Sequence, residues 1–279
     1  VNFMIRKILI AVAGLGKCEE MLNMLLEIPS IERASITLLH VVPAKSAAGD
    51  MAEQLEKGGR ILAEAVKTLK ISPDQVNIIL RQGEPKNVVC EVADEEGADL
   101  IIMGSRGLRG LKAVLDNSVS QYVFQLTSRP MLLIKDDIYV KRLNRIMVAL
   151  DGSAAAQYCL DLAMFLAKDI KGVQLVFAHV NPNVPVTDIE LDPVLAPAVK
   201  AAKQLGLGYK CVTASGKAGP EICRIAEEVN TDLLILGSPD RRPSIAKGVV
   251  DLDRLLGNSQ SDYIRVNANC PVLLARTIG

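Results

Sequence analysis

The stretch Gly104-Ser105-Arg106-Gly107-Leu108-Arg109-Gly110 is the part of this sequence best equipped for chemistry. Gly104 and Gly107 follow the apolar run Leu100 to Met103, where a strand would turn into a helix. Glycine lets backbone amides face an anion with no Cβ in the way. Further on, Ser118 and Ser120 can open a helix and present hydroxyls and amides at its positive end. Arg106, Arg109 and Lys112 against Asp116 leave the stretch basic. This is phosphate-binding chemistry. A glycine turn followed by a helix cap has the same spacing and binds nothing, so spacing alone leaves both readings open.

The remaining reactive residues point away from catalysis. His40 and His179 are the two histidines, at equivalent places closing a second strand. They read as strand caps hydrogen-bonded to backbone. There is no G-x-S-x-G elbow and no G-x-x-x-x-G-K-[ST] lysine to reach a γ-phosphate, so no catalytic residue is assigned. Cys18, Cys90, Cys159, Cys211, Cys223 and Cys270 form no C-x-x-C pair. With two histidines they make no zinc pattern, and they read as six buried thiols in a reducing cytosol. No metal ligand is assigned.

The elements that hold these residues come in two copies. Lys7 to Val12 matches Arg145 to Leu150, and Cys90 to Glu95 matches Cys223 to Glu228. Asp99 to Ser105 matches Asp232 to Ser238, Asn117 to Tyr122 matches Asn258 to Tyr263, and Pro130 to Ile134 matches Pro271 to Ala275. Within each copy the strand-like runs are apolar throughout instead of alternating, as in parallel strands buried on both faces. Helical spacing separates them: Leu55, Leu62, Val66 and Leu69, and Val89, Val92 and Ala93 mirrored by Ile222, Ile225 and Ala226. The pattern predicts two tandem, doubly wound, five-stranded parallel-sheet α/β domains, over residues 1–138 and 142–279. Such sheets bind ligands beyond the carboxyl ends of their strands, where the strand order reverses. Asn181 to Pro197, with four prolines, reads as a connecting loop.

Composition excludes several function classes. Lys and Arg total 32, matching 32 Asp and Glu, which argues against a basic nucleic-acid binder. Five Tyr, four Phe and no Trp leave few platforms for stacking bases. No apolar run approaches the roughly 20 residues of a membrane span. Val1 to Ala13 reads as a first strand, not a secretory leader. The expectation is a cytoplasmic protein without nucleic acid or membrane insertion.

On these residues the chain resembles the universal stress protein family, one domain per copy. The family's nucleotide-binding form carries G-x2-G-x9-G-[ST]. Here Gly104, Gly107 and Ser118 stand at that spacing, with Asn117 in place of the third glycine. Lys7 to Val12, Gly83-Glu84-Pro85, Ala98-Asp99-Leu100 and Pro130 to Ile134 add to the likeness. The resemblance implies an adenine-nucleotide α-hydrolase-like fold and two domains packed with pseudo-two-fold symmetry through their last strands, and it leaves open a homodimer of the tandem unit. It implies a regulatory or stress-response role through ATP, AMP or ADP, with Mg accompanying the nucleotide, and it names no protein partner. A slow ATP hydrolase or phosphotransferase, and a nucleotide-free scaffold, are the rival readings.

By the same resemblance, the first copy's ligand residues are Ala13, Val41, Met103, Gly104, Arg106, Gly107, Asn117, Ser118, Val119 and Ser120. Those of the second are Asp151, Val180, Gly237, Asn258, Ser259, Gln260 and Ser261. The copies have diverged. The family's carboxylate at the end of the first strand is Asp151 in the second copy and Ala13 in the first. The second copy's loop has Asp240 where the second glycine belongs, and it is eight residues longer, with 20 residues between Gly237 and Asn258 against 12 between Gly104 and Asn117. The first copy is therefore expected to be the better triphosphate site, and the second to hold fewer phosphates.

Overall fold

The structure is a computed structural model that describes residues 4–14, 18–44, 48–105, 119–135, 138, 140–181, 192–238 and 260–275. The chain divides into two compact units, Met4–Tyr139 and Val140–Gly279.

In the first unit the strands are β1 (Lys7–Ala11), β2 (Ser35–Val42), β3 (Val76–Gln82), β4 (Leu100–Ser105) and β5 (Met131–Lys135). All pair in parallel, in the order β3-β2-β1-β4-β5. Helices α1 (Cys18–Leu26), α2 (Ala48–Thr68), α3 (Pro85–Glu95) and α4 (Val119–Leu126) connect them. The second unit repeats the order as β8-β7-β6-β9-β10. Its strands are β6 (Arg145–Leu150), β7 (Gln174–Asn181), β8 (Gly208–Ser215), β9 (Leu233–Gly237) and β10 (Val272–Ala275). Its helices are α5 (Ala154–Ala167), α6 (Ala196–Gln204), α7 (Ala218–Glu228) and α8 (Gln260–Asn267).

Continuous apolar runs form the central strands because both faces are covered. Ile8, Leu9 and Ile10 are each at most 1% exposed, as are Ile146, Met147 and Val148. Successive strand residues point to opposite faces, so burial of consecutive residues requires helices on both sides. Each such side chain contributes about 2 kcal/mol of burial. Strand β3, at an edge, departs from this pattern: Ile78 and Leu80 are exposed. On α3 the buried residues are Val88, Val89, Val92 and Ala93, and on α7 they include Ile222, Ile225 and Ala226, as the helical spacing predicts. On α2 the reading is less exact, because Leu55 is exposed and Leu69 lies beyond the helix end. The proline-rich stretch is not loop throughout: α6 begins at Ala196, inside it.

Both units close their sheet at the amino ends with the same clip. Oδ2 of Asp99 accepts the backbone N–H groups of Arg6 and Lys7, at 2.8 and 3.0 Å. Oδ2 of Asp232 accepts those of Asn144 and Arg145, at 2.7 and 2.8 Å. The recurrent Asp before β4 and β9 thus ties that strand to the start of β1 or β6.

Candidate functional site

The order 3-2-1-4-5 places the reversal between β1 and β4, and between β6 and β9 in the second unit. Beyond the carboxyl ends of those strands lies the crevice where open α/β sheets take ligands.

In the first unit, Ala11 pairs with Met103 in register, so the residues that follow each leave the sheet side by side. Ala13 is exposed, Met103 is buried, and Gly104 and Val41 are half-buried. Gly14 has φ +76°, which turns the chain sharply after β1. A Cβ at Gly14 would lie 2.9 Å from Cδ1 and Cγ1 of Ile61, so α2 rests directly on this turn. At the start of α4, Val119 is exposed and Ser120 is buried. Arg106, Gly107, Asn117 and Ser118, which carry most of the phosphate-loop reading, lie outside the described residues.

The second unit has the same turn with a carboxylate on it. Gly152 has φ +77°, within a degree of Gly14. Asp151 is exposed, and its Oδ1 accepts the N–H of Ser153 at 2.9 Å. Ser153 in turn caps α5, its Oγ accepting from the Ala156 N–H at 3.1 Å. Asp151 therefore has a structural task as well as an exposed face. Val180 is half-buried and Gln260 is exposed. Ser261 is buried, with its Oγ 3.3 Å from that of Ser238, so this hydroxyl bridges β9 to α8. Asn258 and Ser259 lie outside the described residues. Gly237 is needed for packing: a Cβ there would sit 2.7 Å from the Ala155 carbonyl carbon and 2.8 Å from the Ala156 nitrogen.

The histidines divide. Nδ1 of His40 lies 2.6 Å from the Val12 carbonyl oxygen and donates to it, as expected of a backbone-bonded strand cap. His179 instead meets a side chain: its Nδ1 is 2.6 Å from Oδ2 of Asp192. The Asp192 side chain is 1% exposed. Burial pushes the pKa of Asp192 up, but the His179 N–H and the amides of Val194 and Leu195 outweigh it and hold the carboxyl below its ordinary value. A depressed carboxylate contributes stability above its unfolded pKa of about 3.9 and loses it as pH falls through the lower folded value. In acid titrations followed by circular dichroism, Asp192→Asn should accordingly show a shallower loss of stability below about pH 4 than the parent protein. An identical slope would contradict this.

Sequence reasoning missed Asp192 and Val194, and also Gly58 and Ile61. The available signals were an Asp-Pro step at a helix start and a Gly-Gly pair inside a helical pattern.

None of the six cysteines is in a disulfide, and three, Cys90, Cys211 and Cys223, are half-buried where full burial was expected. Burial, then Asp94 and Glu91, pushes Cys90 up to about 11. Burial also raises Cys159 and, with Asp192, Cys211. Such thiols carry little thiolate near neutrality and are poor nucleophiles. Among the described residues no three His, Cys, Asp or Glu gather as a metal site, and no helix is long and apolar enough to cross a membrane.

Comparison with known proteins follows the same division. The universal stress protein family model matches residues 4–135 and again 142–276. The universal stress protein YxiE of Bacillus subtilis is 29% identical over 148 residues, covering 47% of this chain and all of that protein. A universal stress protein from Archaeoglobus fulgidus has a crystal structure that superposes with TM-score 0.76 at 22% identity, covering 98% of this chain and 97% of that one. A protein of unknown function from Pseudomonas aeruginosa, PA1789, superposes with TM-score 0.62 at 15% identity. The chain belongs to the universal stress protein family and carries its domain twice in tandem.

Proposed function

We propose that this protein binds an adenine nucleotide at the carboxyl ends of β1 and β4, of β6 and β9, or of both pairs, and acts as a regulator instead of a catalyst. The observation that carries the reading is the shared turn. Gly14 and Gly152 adopt the same left-handed φ at the strand reversal, and the neighbouring strand carries a half-buried glycine at or next to its end, Gly237 or Gly104. In the second unit the turn offers the exposed Asp151 to a ligand's hydroxyl or amino group.

The two sites differ in what they can hold. A triphosphate presents several anionic oxygens, each worth about 1.5–3 kcal/mol when met by a donor. One missing carboxylate forfeits about one such bond. The first unit, with its basic glycine stretch, is the triphosphate site. The second, with Asp151 and with Asp240 in its loop, suits a nucleotide with fewer phosphates. Magnesium would arrive with the triphosphate. Contact of the ligand with the segments after β4 and β9 would change the surface shown to a protein partner.

The test is direct. With no Trp and five Tyr, the protein absorbs weakly at 280 nm, so bound adenine would dominate its near-ultraviolet spectrum. Denaturing the purified protein and chromatographing the supernatant identifies the nucleotide. Gly104→Val/Gly107→Val should weaken ATP by about tenfold or more, through loss of one or two charge-assisted bonds. Unchanged affinity would remove the first site. A protein that is empty and ignores added ATP and AMP would be a scaffold. Sustained turnover lost on altering Ser118 would make it a hydrolase.

A further inference from the structure

In both units a histidine near the end of the second strand touches the segment that walls the left-handed turn. In the first, a Cβ at Gly58 of α2 would lie 2.8 Å from Cδ2 of His40. One helical turn further on, Ile61 rests on Gly14. The wall is the middle of a 21-residue helix, and its contact with the histidine is apolar.

In the second unit the wall is built from a different connection. His179 Nδ1 meets Oδ2 of Asp192 at 2.6 Å, and Oδ1 of Asp192 accepts the N–H of Val194 at 2.8 Å. The Asp192 carbonyl accepts from Leu195 and Ala196, at 3.2 and 3.0 Å, which sets the opening turn of α6. The Val194 side chain, half-buried, then stands with Cγ2 3.7 Å from where a Cβ on Gly152 would be, next to the exposed Asp151. A single carboxylate thus joins the end of β7 to the residue that faces the turn.

We infer that Asp192 is a positioning residue for the second unit's ligand: held by His179, it sets Val194 as the apolar wall opposite Asp151, and the cleft so formed takes the nucleoside end of an adenine nucleotide. This rests on the nucleotide reading above. Asp151 supplies the acceptor and Val194 the surface, and Asp192 touches neither base nor sugar. Misplacing a wall by about an ångström loses affinity or rate out of proportion to the contact itself. In the first unit the histidine's described contact with the wall is made at Gly58 and not by an ionised group.

The probe is AMP, measured by equilibrium dialysis against the full chain, with the thermal midpoint recorded for each variant. Asp151→Ala should weaken AMP by about tenfold, the value of one charged hydrogen bond. Asp192→Asn should weaken it by a similar factor. Val194→Ala, which leaves every hydrogen bond of the strap in place, should weaken it severalfold with a midpoint near that of the parent. Because Asp192 acts through Val194, Asp192→Asn should lose less than about twofold further in the Val194→Ala background. Additive losses, or parental AMP affinity in either folded single variant, would overturn the inference and leave the nucleotide reading standing. A parent protein that binds no AMP, or binds it with no effect of Asp151→Ala, would overturn both.

Discussion

Gly237→Ala should lower the free energy of unfolding by about 3 kcal/mol, at the upper end of what overpacking costs. The added methyl would meet backbone: 2.7 Å from the carbonyl carbon of Ala155 and 2.8 Å from the nitrogen of Ala156. No side-chain rotation relieves that. Either α5 moves off the sheet or β9 bends. Most residues of α5 that face inward are fully buried, among them Cys159, Ala163 and Ala167 at 0% exposure, so withdrawing the helix opens core. Because the Asp151 turn leads straight into α5, the same shift would also misplace the carboxylate. Urea denaturation measures the loss, and a change below about 1 kcal/mol would mean that the helix yields far more readily than a packed core should.

The second large effect is expected at the opposite ends of the strands. Asp99→Ala removes one acceptor from two consecutive backbone N–H groups, and Asp232→Ala does the same in the second unit. A hydrogen bond to a charged group contributes about 1.5–3 kcal/mol when enclosed and less when water can replace it. Both clips are partly solvated, so each alanine variant should lose about 2 kcal/mol. Asparagine keeps the accepting oxygen in place. Asp99→Asn should therefore recover about half of the loss, which separates geometry from charge. Nucleotide affinity should not change, since the clip lies at the amino ends of β1 and β4 and the crevice at their carboxyl ends. Equal losses in the alanine and asparagine variants would show that charge alone matters.

The architecture was readable because apolar runs repeat in register, and a run buried on both faces has few alternatives to a central parallel strand. The repeat also flagged Asp99 and Asp232, though not their purpose. A clip joins residues about 90 apart in sequence, and no local pattern announces it. Gly237 was visible as a glycine at a strand end and was assigned to ligand. Its tightest neighbours are the backbone atoms of α5, which only the packed structure brings there. The His179–Asp192 pair was hidden because its two residues stand 13 apart on different elements, and in the first copy His40 meets Gly58 of α2 with no carboxylate in the equivalent contact. Ser261 shows the converse: its position fits the family's loop, yet its hydroxyl is turned inward to Ser238.

The paired turns at Gly14 and Gly152 have an evolutionary consequence. Their shape is maintained by a residue without a side chain, while the neighbour that could bear chemistry is alanine in one unit and aspartate in the other. Selection for a folded chain acts first on the glycine, and at the position before it the scaffold holds only the hydrogen bond from Ser153 to Asp151 in the second unit. After duplication, that position can drift in one copy at small cost to the scaffold. Two differently equipped turns can therefore arise from one by nearly neutral change, and Ala13→Asp would place a carboxylate on a turn with the same φ as that of the second unit.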